Sequence, residues 1–319
     1  MALVRVQVPA STTNLGPGFD ALGVALRLYN RVELDELPWG ISIHVEGEGR
    51  DTIARDESNI CLQAVKRVYE KAGRPFRGLW MKQRNHIPLA RGLGSSSAAL
   101  VGGIVGANLL LGGPLTMDDL VQLAVEMEGH PDNVVPALLG GFCISAVEGG
   151  GRAIYTRAPV VDRFLWTIVV PAFEVSTKAA RQKLPRSIPL KDAIFNVQRV
   201  SMLLAAFSTG QDGLFRHAME DRLHQPYRAE LMGPLEEVFA AARRAGALGV
   251  CISGAGPCVL AICSQAAQNA GKVGNAMREV YLSRGIGCRM HVLRVDPRGA
   301  HAVDIAMAGR EEGPRAAAS

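Results

Sequence analysis

Two glycines and three serines stand together in Pro88-Leu89-Ala90-Arg91-Gly92-Leu93-Gly94-Ser95-Ser96-Ser97-Ala98, directly ahead of an uncharged apolar stretch. Glycine lets a backbone bend sharply and brings its N–H groups close to a ligand. A helix start leaves N–H groups unpaired and carries a partial positive charge of about half a unit. Loop and helix start together make a site for phosphate. Serine hydroxyls add donors there, or an oxygen ligand for magnesium. No lysine follows Gly94, so this is not the G-x-x-x-x-G-K-[ST] loop.

Four further segments could do chemistry. Asn14-Leu15-Gly16-Pro17-Gly18-Phe19-Asp20 places an amide and an acid in a turn-rich loop. Taken alone, Asn14 and Asp20 serve equally well as turn residues. Glu126 and Glu128 close a helical stretch, where carboxylates oppose the macrodipole. Either a cation such as a metal ion compensates them, or solvent screens them. Gly129-His130-Pro131-Asp132-Asn133 follows at once, with His130 read as structural beside Pro131. Thr177, Lys178 and Arg181 share one helical turn after a strand, as an anion-binding helix start would. Ser253-Gly254-Ala255-Gly256 is a third glycine-bearing loop, which by itself is a plain hairpin turn.

The elements that must hold these segments follow from periodicity. Val4, Val6 and Val8 alternate with Arg5 and Gln7, a half-buried strand ending at Pro9. Residues 28–34, 41–45 and 165–170 read as strands, and 59–71 as a helix. The stretch 95–111 is apolar all round and predicts a buried helix. Thr116 and Asp119 form a capping box at the start of the next helix. Further helices are expected at 177–183, 191–207 and 235–245, with strands at 250–253 and 258–263. The composition shifts at Gly149-Gly150-Gly151, so a second domain is expected to begin near residue 155. Mixed strands and helices joined by hairpin turns predict α+β layers. The small, charged tail 309–319 reads as disordered.

Composition bounds the rest. The 319 residues are 48% hydrophobic and 20% charged, an ordinary globular balance large enough for two cores. A net charge of +5 suits an anionic ligand, but an aromatic content of 5% leaves no stacking platform, which argues against nucleic acid. The uncharged run 92–117 is broken by glycine, proline and serine, and its apolar core falls short of the ~20 residues a membrane span needs. No signal-peptide core opens the chain. Six cysteines without a C-x-x-C pair fit reduced thiols in the cytoplasm.

In order along the chain, residues 8–23, Pro88–Ala98, Gly129–Asn133 with Val134-Val135-Pro136, Ser176–Arg181 and Ser253–Pro257 resemble the motifs of the GHMP kinase superfamily, and within it those of the homoserine kinase family. The resemblance spans about residues 3 to 300. It implies a two-domain α+β fold: a ribosomal S5 domain 2-like ATP-binding half over 1–155 and a ferredoxin-like half over 156–308. It implies ATP as co-substrate with Mg2+, L-homoserine as the small-molecule substrate, O-phospho-L-homoserine as product in threonine biosynthesis, and a possible homodimer. Pro88 to Ala98 would hold the ATP phosphates, with Asn59 at the nucleoside. Ser96 and Glu128 would hold magnesium, with Glu126 the competing acid. The substrate carboxylate calls for an arginine fork, and Arg181 and Arg228 match. Asn14, Asp20, Asn133 and Thr177 would complete its site. Asp20 and Asp132 both remain candidates to take or orient the hydroxyl proton. Rival readings are a GHMP kinase acting on mevalonate or shikimate, and a non-catalytic sensor of the same fold.

Overall fold

The computed structural model describes residues 2–307; the tail expected at 309–319 lies outside them. The first part of the chain runs β1 (Ala2–Thr13), β2 (Leu22–Glu36), β3 (Gly40–Gly47), α1 (Ile60–Lys71), β4 (Gly78–Asn85), α2 (Ser95–Leu110), α3 (Met117–Glu128), α4 (Pro131–Leu139), β5 (Phe142–Val147) and β6 (Ala153–Ala158). The second part runs β7 (Phe164–Pro171), α5 (Thr177–Gln182), α6 (Leu190–Thr209), the single turns α7 (Phe215–Ala218) and α8 (Gln225–Arg228), α9 (Leu235–Arg244), β8 (Gly249–Ile252), β9 (Val259–Ser264), α10 (Ala270–Leu282) and β10 (Cys288–Leu293). A last strand, β11 (His301–Met307), returns to pair with β1 in the first sheet.

Two sheets result. The first has the order β11-β1-β2-β4-β3, with β5 pairing residues 22–24 of the long β2 and β6 pairing β5. It is antiparallel except for β3 and β4, which run parallel with α1 as their crossover. The second is antiparallel in the order β10-β7-β9-β8 and is covered by α9 and α10. Its chain order and pairing are those of a ferredoxin-like split βαβ unit. Both sheets bury apolar faces under helices, the layered α+β arrangement the pattern predicts.

The helix α2 is buried along most of its length, as its unbroken apolar composition predicts. Gly102, Gly103 and Gly106 let it lie close to Val32, the Cys61 carbonyl and Leu34. Its first turn is thereby fixed against the sheet. The first strand does not stop at Pro9. A register shift between Pro9 and Ala10 absorbs the missing N–H, and the strand continues to Thr13. That extension carries Ser11, Thr12 and Thr13 to the same end of the molecule as the start of α2. The strands β4, β5, β6, β10 and β11 and the helix α10 carry no signal that the sequence reading picked up.

Candidate active site

The glycine-serine loop closes on the start of α2 by backbone geometry. Gly92 and Gly94 have φ of +75° and +68°, in the left-handed region. A Cβ on Gly92 would lie 2.1 Å from the Ser253 carbonyl, and one on Gly94 would lie 2.0 Å from Ser11 Oγ. Gly94 caps α2 with no side-chain hydrogen bond, so the first N–H groups stay available to a ligand. The three serines divide their work. Ser95 Oγ turns back to the Ile87 carbonyl at 3.2 Å, Ser96 is exposed at the cleft, and Ser97 Oγ donates to Glu128 Oε1 at 2.5 Å. Ala98 is buried inside the helix. The loop is held from the second sheet, where Ser253 Oγ donates to the Gly92 carbonyl at 2.6 Å and pairs with Thr12 Oγ1 at 2.8 Å.

The acidic wall comes from α3 and α4. The capping box at Thr116 and Asp119 starts α3 as expected, and Gly129 ends it at φ +87°. The two glutamates part company: Glu126 turns outward to Arg67, while Glu128 lines the cleft with Ser96 and Ser97. Pro131 begins α4, and the next two residues, Asp132 and Asn133, face the same cleft. His130 also lines it, with Nδ1 2.6 Å from Asp132 Oδ1. Burial alone would lower the His130 pKa, but the Asp132 hydrogen bond and charge, with Glu128 behind them, raise it above the usual histidine value. Asn133 Oδ1 accepts from Ser11 Oγ at 2.8 Å.

The opposite wall is cationic. Asn14, Leu15 and Asp20 have φ of +69°, +48° and +56°, so three non-glycine residues of one loop sit in the left-handed region. The Asn14 amide stitches that loop together: Nδ2 donates to the Gly254 carbonyl at 2.9 Å and Oδ1 accepts from the Asp20 N–H at 3.0 Å. Arg181 grips both oxygens of Asp20, at 2.9 and 2.8 Å. The Phe19 ring lies between the two arginines, its centroid 5.7 Å from the Arg181 guanidinium carbon and 5.1 Å from that of Arg228. Thr177 opens α5 at the edge of the cleft.

Arg228 differs from Arg181. It is 2% exposed, lines the cleft, and has no carboxylate in salt-bridge range among the described residues. Its donors go to the carbonyls of Ala180 and Gly254 and to His224 Nδ1, at 3.4, 3.2 and 3.3 Å. Burial, then the neighbouring Arg181 charge, lowers its pKa to about 10, so it remains a cation at neutral pH. His224 is fully buried, with Nε2 2.8 Å from the Gly16 carbonyl. A neutral ring protonated at Nε2 satisfies both bonds, donating to Gly16 and accepting from Arg228. Burial, partly offset by Asp221, holds the His224 pKa below the usual value.

One cleft thus gathers Asn14, Asp20, Ala90 to Ser97, Glu128, Asp132, Asn133, Thr177, Arg181 and Arg228. Pro88 and Leu89 line an adjoining cavity of about 820 Å³ with Asn85, His86 and His291; Arg91 belongs to both. Asn59 lines neither. It caps α1, accepting from Cys61 and Leu62 and donating to Ala54 and Gln83. Sequence reasoning missed Phe19 and His224 and gave His130 no place in the cleft. The only available hint for His224 was its position just ahead of Pro226-Tyr227-Arg228.

The model of the GHMP kinases N terminal domain matches residues 59–141, and that of the GHMP kinases C terminal matches 203–281. The chain is 47% identical over 300 residues to the homoserine kinase of Moorella thermoacetica, covering 94% of this chain and 99% of that one. It is 44% identical to the homoserine kinase of Carboxydothermus hydrogenoformans, covering 93% and 96%. A crystal structure of homoserine kinase from Cytophaga hutchinsonii superposes with a TM-score of 0.87 at 32% identity, over 94% and 97% of the two chains. Mevalonate kinase from L. major shares the fold, with a TM-score of 0.68 at 17% identity over 92% and 95%.

Proposed function

The chain belongs to the GHMP kinases and, within them, to the homoserine kinase family; from that premise we infer that it moves the γ-phosphoryl group of ATP to the side-chain hydroxyl of L-homoserine, a step of threonine biosynthesis. One observation carries the assignment of the site. An uncapped helix start faces a buried, carboxylate-free arginine across a single cleft. The first suits the polyphosphate and the second the carboxylate of an amino acid.

The N–H groups at Gly92–Ser97 cradle the phosphates, and the adjoining cavity takes the nucleoside. Asn59, whose side chain caps α1, is assigned to the nucleoside end of that region by the family resemblance alone. Ser96, Ser97 and Glu128 offer hard oxygen donors few enough to leave a magnesium ion its waters and phosphate ligands. They therefore fit that ion, which when bound neutralises charge on the phosphates. Among the described residues no group of three acids, histidines or cysteines forms a self-sufficient metal cage, in keeping with a metal held partly by phosphate.

Arg228 takes the substrate carboxylate. Arg181, already neutralised by Asp20, holds the pair at the mouth of the site, where the Asp20 carboxylate attracts the ammonium. Asn14 shapes this loop, and Thr177 adds a hydroxyl at its edge. Asp132 uses one oxygen for His130; its other makes no hydrogen bond among the described residues and is free to orient the hydroxyl. The transition state of phosphoryl transfer is loose, so positioning matters more than a strong base. The division of the chain near residue 155, with β11 lent back to the first sheet, belongs to the same reading. All six cysteines are free and five are buried, which suits a reducing cytoplasm. No helix among the described residues is long and apolar enough to cross a membrane.

The test is an ADP-release assay with homoserine, mevalonate and shikimate side by side. Homoserine is expected to support turnover alone. Faster turnover of mevalonate or shikimate would overturn the substrate assignment.

A further inference from the structure

The two arginines of the cleft are held in opposite ways. Arg181 is fixed by both oxygens of Asp20, which neutralises it. Arg228 is fixed without an acid. Its one side-chain acceptor among the described residues is His224, whose Nδ1 lies 3.3 Å from Nη1. Its other acceptors are the carbonyls of Ala180 and Gly254. Its Nη2 makes no hydrogen bond among the described residues and opens on the cleft. The His224 ring is itself locked. Its Nε2–H donates to the Gly16 carbonyl at 2.8 Å, and the Phe19 ring stacks on it with centroids 5.1 Å apart. With the proton committed to Nε2, Nδ1 is left bare as an acceptor. The backbone beneath the ring is pinned by Asp221, a fully buried carboxylate that accepts from the N–H groups of Leu223, His224 and Gln225 and from Asn196 Nδ2 on α6. Gln225 Oε1 then takes the Ile252 N–H of β8 at 2.7 Å. The turn at 221–225 is thus anchored to α6, to β8 and to the loop that carries Asp20, and His224 passes that anchorage to the tip of Arg228.

We propose that His224 is a positioning residue for the substrate, a role that rests on the homoserine kinase reading of the cleft: its neutral ring aims the Arg228 guanidinium at the substrate carboxylate and leaves the charge whole. It touches neither ligand and acts through Arg228. A long arginine side chain has rotamer freedom that a ligand would otherwise have to freeze. A carboxylate in place of the imidazole would hold the guanidinium equally well, but it would compete with the substrate for the same charge, as Asp20 does at Arg181. The bare Nδ1 of a neutral histidine supplies direction alone. The substrate carboxylate lies away from the transferred phosphoryl group, so its contact is made alike in the ground and transition states. The loss of that contact falls on KM rather than kcat.

The test is steady-state kinetics of the full chain, with homoserine and ATP varied in turn. His224→Leu should raise the homoserine KM by about tenfold or more. Its kcat and its KM for ATP should change by less than about threefold. His224→Asn puts an amide oxygen near the place of Nδ1 and should recover most of the loss. His224→Gln, whose amide reaches toward Gly16 instead, should not. In an Arg228→Met background, His224→Leu should add less than about twofold, because the side chain it aims is gone. A smaller rise in His224→Leu, a parallel loss in kcat or in ATP KM, or full additivity with Arg228→Met would each overturn the role. Recovery by glutamine but not asparagine would overturn it too, making His224 a brace for the Gly16 loop. Should His224→Leu not fold, the order of the asparagine and glutamine variants decides alone. Absence of homoserine turnover in the unmodified chain would overturn the kinase reading, and this role with it; normal turnover with indifferent variants would overturn the role alone.

Discussion

The two walls of the cleft are built by different means. The phosphate wall is a local device: one loop, one helix start, and two glycines at positive φ within eleven consecutive residues. The substrate wall is assembled from Asp20, Arg181, His224 and Arg228, drawn from a loop of the first sheet and two helices of the second part of the chain. On the proposed reading, the first wall recognises charge with backbone, the second with side chains that must be brought together and kept apart from the wrong partners. A local device tolerates distant change but not change within itself. An assembled one is graded, each member contributing through its neighbours.

The largest effect expected is on the local wall. Gly94→Val places a branched side chain at φ +68° with its Cβ 2.0 Å from Ser11 Oγ. Strain of 1–3 kcal/mol plus the clash predicts a loss of ATP affinity of about 100-fold or more. Calorimetric titration with ATP checks it, and near-normal affinity would show that the loop is not the phosphate site.

On the assembled wall the losses should be ordered. Removing a charge-assisted bond costs about 1.5–3 kcal/mol, roughly 10–100-fold in affinity. Arg228→Met, which removes the unpaired buried cation, should lie at the upper end for homoserine. Arg181→Ala should lie at the lower end, because Asp20 already neutralises it. ATP affinity should barely change in either. Equal losses for both ligands would break the distinction between the walls.

Between the walls, Glu128→Gln should reduce magnesium-supported turnover by about tenfold or more, as expected for a charged ligand lost. Glu126→Gln, whose partner is Arg67 on the outer face, should reduce it less than about threefold. The reverse order, read from magnesium-dependence curves, would move the metal role to Glu126.

The smallest effect is on stability. His224 is neutral when folded, its pKa held down first by burial. Below about pH 6.5 the unfolded chain binds a proton there that the folded chain does not. Stability therefore falls as pH drops from about 6.5 toward the folded value, by at most about 1.4 kcal/mol per pH unit. His130 has the opposite sign: its raised pKa stabilises the fold below about pH 6.5, and that contribution is lost as pH rises through the folded value. Melting curves at pH 8 and 5.5 should show the His224 loss, and His224→Gln should flatten the difference while lowering both midpoints. An unchanged slope in that variant would mean the ring is already charged in the folded chain.

Much of this was readable from the chain alone, and the unreadable part has a common cause. The start of α2, the capping box of α3 and the buried character of α2 are set by residues within a few positions of one another. Local sterics and unpaired N–H groups decide them, so pattern suffices. The five motifs in order carried the family and, with it, the two-layer plan. What the chain did not disclose is which of two chemically identical groups does a given job. Glu126 and Glu128 differ only in the face of the helix they occupy, and Arg67, far away in sequence, claims one of them. Arg181 and Arg228 are both arginines, but only the fold gives one an acid and leaves the other without. His224 was silent because Gly16, whose carbonyl fixes which ring nitrogen carries the proton, meets it only in three dimensions, although Arg228 lies one helical turn away. Backbone recognition is encoded where it acts. The state of a side-chain charge depends on the charges and carbonyls that folding delivers to it, and only the tertiary structure decides those.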